Sequence, residues 1–227
     1  MKFFIDFPFD KNLNLLLRRN AILKLHKNTM NTPNKLTVFR ILLVPAMVII
    51  SLIQIPGTIA NIPLSLIIID IIFAIGAITD KLDGYLARKN HQVTTFGKFL
   101  DPIADKIIVI SAMLILVEKG MLPAWIPIII ITREFAVSGY RLIAVEKNGT
   151  VIAANKWGKI KTVTQMIAII LAYLDTHPFG AIFTMQLQGF EFIMNLLVTL
   201  FMIICTIATI FSGYEYLKGG KDLLKDM

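Results

Sequence analysis

Residues 61–80, NIPLSLIIIDIIFAIGAITD, run without a break into residues 81–105, KLDGYLARKNHQVTTFGKFLDPIAD. The first stretch is apolar almost throughout and about 20 residues long, the length at which an α-helix crosses the ~30 Å hydrocarbon core of a bilayer. The second turns polar at once and carries aspartates at positions 80, 83, 101 and 105. A membrane-crossing helix that ends on a cluster of acids sets the terms for the rest of the chain.

Five further stretches of similar character lie at 36–55, 99–118, 122–143, 160–176 and 189–213. Hydrophobic residues make up 56% of the 227 and charged residues 17%, against roughly 45–50% and about 25% in soluble domains. No low-complexity or heptad tract is present, which excludes disorder, collagen and coiled coil. Cys205 is the one cysteine, so there is no disulfide scaffold; within an apolar run its thiol reads as a small hydrophobe. The fold expected is an all-α integral membrane protein with six transmembrane helices over residues 32–227. Residues 1–31 form a basic amphipathic extension before it. In that extension Phe3, Phe4, Ile5, Phe7 and Phe9 precede Leu13, Leu15, Leu16, Leu17, Arg18 and Arg19, which reads as an interfacial helix, the alternative being a disordered basic tail. Thr32 is placed as N-cap of the first span with Pro33 at its first helical position. No charged n-region followed by a cleavage site is recognisable at the start.

The net charge of +8 would suggest nucleic acid on a soluble protein. Six spans put both termini on one side, and that side then collects every one of the 23 Lys and Arg except Lys119. This is the positive-inside pattern, so both termini are expected in the cytoplasm of a multi-pass cell-membrane protein, with no nucleic-acid partner and anionic lipids as neighbours.

Asp80 and Asp83 are three residues apart and share a helix face, which Gly84 and Ala87 continue with almost no side chain. Asp101 and Asp105, four apart, share another, with Gly97 a turn earlier. Pro102 fits a first helical turn or a kink. The short connection predicts antiparallel neighbouring helices whose carboxylate pairs face each other. Four such charges repel unless compensated. Two divalent cations, Mg²⁺ or Mn²⁺, match both the charge and the hard oxygen donors, and a two-metal site suits phosphoryl chemistry. Arg88, one turn beyond Gly84, can bind a phosphate in a fork.

The segment from Asp80 to Asp105 resembles the signature of the CDP-alcohol phosphatidyltransferase family, D-x2-D-G-x2-A-R-x8-G-x3-D-x3-D, at every fixed position. The stretches PNKLTVFR (33–40), GKFLDPIADK (97–106), TREFAVSGYR (132–141) and GKIKT (158–162) are similar to the branch that uses glycerol 3-phosphate as acceptor. The likeness covers roughly residues 32–222. It implies a six-span enzyme, usually a homodimer, with its metal site in a cavity open to the cytoplasm. The reaction implied is CDP-diacylglycerol plus sn-glycerol 3-phosphate giving phosphatidylglycerophosphate and CMP. By the same resemblance Asp80, Asp83, Asp101 and Asp105 bind the metals, Asp105 is the general base, and Gly84, Ala87, Arg88 and Gly97 contact the CDP moiety.

The acceptor's phosphate needs an electropositive pocket near the metals. Arg133 and Arg141, eight residues apart on the fourth span, and Lys159 and Lys161 at the start of the fifth, are candidates; anchoring to headgroups is the alternative for all four. Asn34, Thr37 and Arg40, spaced three apart on the first span, are expected to line the nucleotide cavity. Asp70 sits in mid-span, where it is either protonated or bonded to a neighbouring helix. Trp125 and Trp157 read as interfacial anchors. Two other functions remain open: the same transfer to serine, inositol phosphate or phosphatidylglycerol, and a divalent-cation transporter, although clustering of the acids at one interface without repeated halves speaks against transport.

Overall fold

The computed structural model describes residues 32–53, 55–89, 95–148 and 156–219, so the predicted N-terminal extension lies outside the described residues. Six long helices follow in order: α1 (Thr32–Ile53), α2 (Leu64–Lys89), α3 (Thr95–Glu118), α4 (Trp125–Asn148), α5 (Lys156–Leu174) and α6 (Gly189–Gly219). Each coincides with one of the six apolar stretches and extends beyond its apolar part into polar sequence. By length and composition, two segments among the described residues could cross a membrane, Asn34–Ile53 and Gly189–Tyr216.

The exterior is apolar. Leu42, Leu52, Ile53, Ile128, Phe135, Val163 and Phe190 are all more than half exposed, far beyond the scattered apolar surface of a soluble monomer. The interior is built from Met47 of α1, Ile69 and Phe73 of α2, Ile108, Met113 and Leu116 of α3, Ile126 and Ile130 of α4, Ile169 and Tyr173 of α5, and Met202 and Cys205 of α6. Where lipid surrounds helices, close van der Waals contact rather than escape from water holds them together, so small residues belong at the crossings. Ala168 and Ala172, one turn apart on α5, are buried, and α5 makes its broadest contact with α6. At Gly76 on α2 an added Cβ would collide with the Ile108 side chain of α3.

The turns at the end opposite the aspartates are well defined. Thr58–Ile59 and Ile62–Pro63 form a two-stranded antiparallel hairpin joining α1 to α2. Its two turn residues, Ala60 (φ 52) and Asn61 (φ 67), are both left-handed, as a type I′ turn requires. Helix α3 ends in a Schellman motif. Gly120 (φ 72) donates to the Val117 carbonyl at 3.0 Å and Met121 to that of Leu116 at 2.9 Å. Lys119, the one Lys or Arg among the described residues at this end, donates to the Ser51 carbonyl of α1 at 3.1 Å. The loop after α5 is tied to α6 by buried polar groups. Asn195 Nδ2 donates to Asp175 Oδ2 at 2.7 Å and to the Pro178 carbonyl at 2.9 Å, and its Oδ1 accepts from the Ile182 N–H at 3.1 Å.

Of the two placements expected for Pro102, the structure takes the one inside the helix. Helix α3 begins at Thr95, so Pro102 lies inside it rather than in its first turn. The proline removes one donor to the carbonyl four residues earlier without ending the helix. Helices α2 and α3 approach closely where Gly76 meets Ile108, and α1 packs broadly against both.

Candidate active site

Helix α1 presents Asn34, Thr37 and Arg40 on one face, as their three-residue spacing dictates. All three are buried, and Arg40 is 0% exposed. Arg40 Nη1 lies 3.2 Å from Asp80 Oδ1, nine residues before the end of α2, and is also paired with Asp105 Oδ1 on α3. One turn back, Thr37 Oγ1 donates to Asp101 Oδ1 at 2.5 Å. Three of the four predicted aspartates, from two helices, thus converge on one face of a third. The Asp80 and Asp105 side chains are 40% and 43% exposed, so the cluster is open to solvent on its outer side while its cation is buried.

The side chains of Asp83, Arg88 and Ala87 lie outside the described residues, as does the surrounding of Gly84 and Gly97. Among the described residues no three acids stand close enough to hold one ion. The donor chemistry nevertheless suits a divalent cation. The donors are hard carboxylate oxygens, and a single cationic nitrogen already touches Asp80 and Asp105 together.

The predicted basic residues divide. Arg133 and Lys161 meet at Glu134, whose Oε1 accepts from Arg133 Nη1 at 2.8 Å and from Lys161 Nζ at 2.7 Å. Arg133 Nη2 also donates to Ser212 Oγ of α6. Arg141 is exposed, but its Nη2 donates to the Tyr216 hydroxyl of α6 at 2.6 Å. Lys159 is exposed and makes no ion pair among the described residues. Nearby, Lys106 of α3 donates to Ser138 Oγ of α4 and lies over the Phe135 ring. Sequence reasoning missed Glu134, Ser212 and Tyr216. Glu134 offered a signal, an acid within an apolar helix beside Arg133; Ser212 and Tyr216 offered none.

Asp70 is buried in α2, ten residues or about 15 Å of helix from Asp80, and its Oδ1 has no hydrogen-bond partner among the described residues. Trp125 stands edge-on to Phe179 and Trp157 stacks on Phe211, both at the exposed periphery. A pocket of about 310 Å³ lined by Asn61, Asp175, Phe190 and Glu191 opens at the opposite end and includes none of the predicted site residues.

Comparison with known proteins fits this arrangement. The family model described as CDP-alcohol phosphatidyltransferase matches residues 30–211. A CDP-diacylglycerol–glycerol-3-phosphate 3-phosphatidyltransferase of Bacillus subtilis (strain 168) is 42% identical over 200 residues, covering 86% of this chain and 97% of the relative. The enzyme of the same name from Haemophilus influenzae is 37% identical over 200 residues, 86% of this chain and 96% of its own. That of Mycoplasma pneumoniae is 38% identical over 151 residues, 62% and 66%. With three of its signature aspartates gathered against α1 and a family match over most of its length, the chain belongs to the CDP-alcohol phosphatidyltransferase family.

Proposed function

We propose that the chain transfers the phosphatidyl group of CDP-diacylglycerol to sn-glycerol 3-phosphate, forming phosphatidylglycerophosphate and CMP. The observation that carries the proposal is the gathering of Asp80, Asp101 and Asp105 on the Thr37–Arg40 face of α1, within a chain whose relatives bear that enzyme name. Lipid tails of the donor would lie along the apolar exterior, and its diphosphate at the level where α2 turns polar.

Asp80, Asp83, Asp101 and Asp105 would hold two Mg²⁺ or Mn²⁺ ions, whose charge offsets that of the diphosphate and of the departing CMP. The acceptor's primary hydroxyl attacks the lipid-side phosphorus; a P–O bond forms there as the bond to CMP breaks, and Asp105 takes the hydroxyl proton. Gly84, Ala87, Arg88 and Gly97, with Asn34, Thr37 and Arg40, bind the CDP moiety. Arg133, Arg141 and Lys161 hold the acceptor's phosphate, and Lys159, exposed at the rim, steers it in.

The same reading places six spans in the cell membrane, with both termini and the site on the cytoplasmic side. The basic residues gathered at the aspartate end and the apolar exterior support it. Residues 1–31 lie along the interface, and two chains form a homodimer.

The test is to offer purified protein CDP-diacylglycerol with each acceptor in turn and identify the lipid by mass spectrometry. Phosphatidylglycerophosphate from glycerol 3-phosphate is expected. A product made only from serine, inositol phosphate or phosphatidylglycerol would reassign the acceptor, and divalent-ion flux into liposomes without any lipid product would point to transport. Asp105→Asn should insert normally yet release CMP at least ~100-fold more slowly, the scale of a lost general base. Turnover near the wild-type rate in that variant would remove Asp105 from its role.

A further inference from the structure

Arg133 and Arg141 are eight residues apart on α4, about 12 Å along the helix axis and about 80° around it. Nothing in that spacing brings their guanidinium groups together. Both nevertheless lie against one ring. The Cζ atoms of Arg133 and Arg141 stand 5.5 and 5.3 Å from the centroid of Tyr216, a buried residue of α6, and the tyrosine hydroxyl accepts from Arg141. An aromatic face attracts a cation through its quadrupole, so one ring can hold two like charges near each other. Ser212, one turn earlier on α6, holds the other end of the Arg133 fork. Gly213 leaves room for the stem of Arg133, whose Cγ would lie 3.3 Å from an added Cβ. Ser212 and Tyr216 both lie just beyond residues 30–211, the part of the chain that the family model matches.

We propose that Tyr216 is a positioning residue for acceptor recognition: from α6 it gathers Arg133 and Arg141 into one dianion-binding pair. The inference rests on the reading that these arginines hold the acceptor's phosphate. Tyr216 itself touches no substrate. Its loss therefore weakens capture of the phosphate while leaving capture of the nucleotide lipid alone.

The test is steady-state kinetics on the purified full-length protein, with the KM for glycerol 3-phosphate and for CDP-diacylglycerol measured separately. The variants are Tyr216→Leu, Tyr216→Phe, Arg133→Ala and Arg141→Ala. Removing the ring in Tyr216→Leu should raise the acceptor KM roughly five- to twentyfold, with the donor KM within about twofold, as expected for loss of a partly desolvated cation–π pair and a charge-assisted hydrogen bond. Tyr216→Phe keeps the ring and loses only the bond to Arg141, so a rise of about threefold is expected. It also keeps the test decisive if the leucine variant does not fold. Competitive inhibition by inorganic phosphate should weaken in the same order. If the arginine variants raise the acceptor KM and the Tyr216 variants do not, the positioning role is wrong and the phosphate site stands. If the arginine variants leave the acceptor KM unchanged, the phosphate site is wrong and the inference falls with it. If the Tyr216 variants raise both KM values equally, the residue is only structural.

Discussion

A guanidinium as deeply buried as that of Arg40 costs several kcal/mol to desolvate, and only well-placed anions offset that cost. Asp80 and Asp105 supply them, and the guanidinium in turn relieves the repulsion between two acids brought together. Removing it in Arg40→Ala should lower stability by about 2 kcal/mol, less than the ~3–5 kcal/mol of a fully buried pair, because solvent reaches both acids. Mg²⁺ should restore part of the loss by taking over the compensation. Melting in detergent with and without Mg²⁺ checks this, and an unchanged melting temperature in the variant would contradict it. Much of this site was legible in the sequence, since helical spacings of three and four place Asp101 with Asp105, and Thr37 with Arg40, wherever the helices lie. Their partners were not legible. Thr37 finds Asp101 across 64 residues and Arg40 finds Asp105 across 65, and no local pattern encodes such a distance.

At the level of helices, apolar length alone located all six, because only a helix satisfies its own backbone in lipid. What it could not supply was their order of contact. The short link between α2 and α3 pointed to their pairing, but not to the broad packing of α1 against both, whose buried face carries the hydrogen-bonding partners the aspartates need. Tyr216 was invisible for the same reason: its role depends on how α4 crosses α6. The loop after α5 depends on one amide. Asn195→Ala strips partners from the buried Asp175 carboxylate, the Pro178 carbonyl and the Ile182 N–H at once. It should cost about 1–3 kcal/mol and leave both substrate KM values unchanged, because the network lies at the end away from the aspartates. Thermal melting and kinetics on the same sample separate the two effects; intact stability would show that water replaces the amide freely.

For the whole molecule, the proposed topology has the aspartates and both termini on the cytoplasmic side and Lys119 on the other. Cys205 is buried, so cysteines introduced at single positions can be read with an impermeant maleimide on intact cells. Lys119→Cys should label from outside, and Lys218→Cys only after permeabilisation; labelling of both from outside would overturn the topology. If the enzyme works as proposed, EDTA should stop CMP release and Mg²⁺ or Mn²⁺ should restart it, whichever side the site faces. The most direct measurement is Mn²⁺ binding to the purified protein, followed by electron paramagnetic resonance, for the wild type and for Asp101→Asn. The account predicts two bound ions in the wild type and a loss of at least one in the variant; identical binding by both proteins, or none by either, would contradict it.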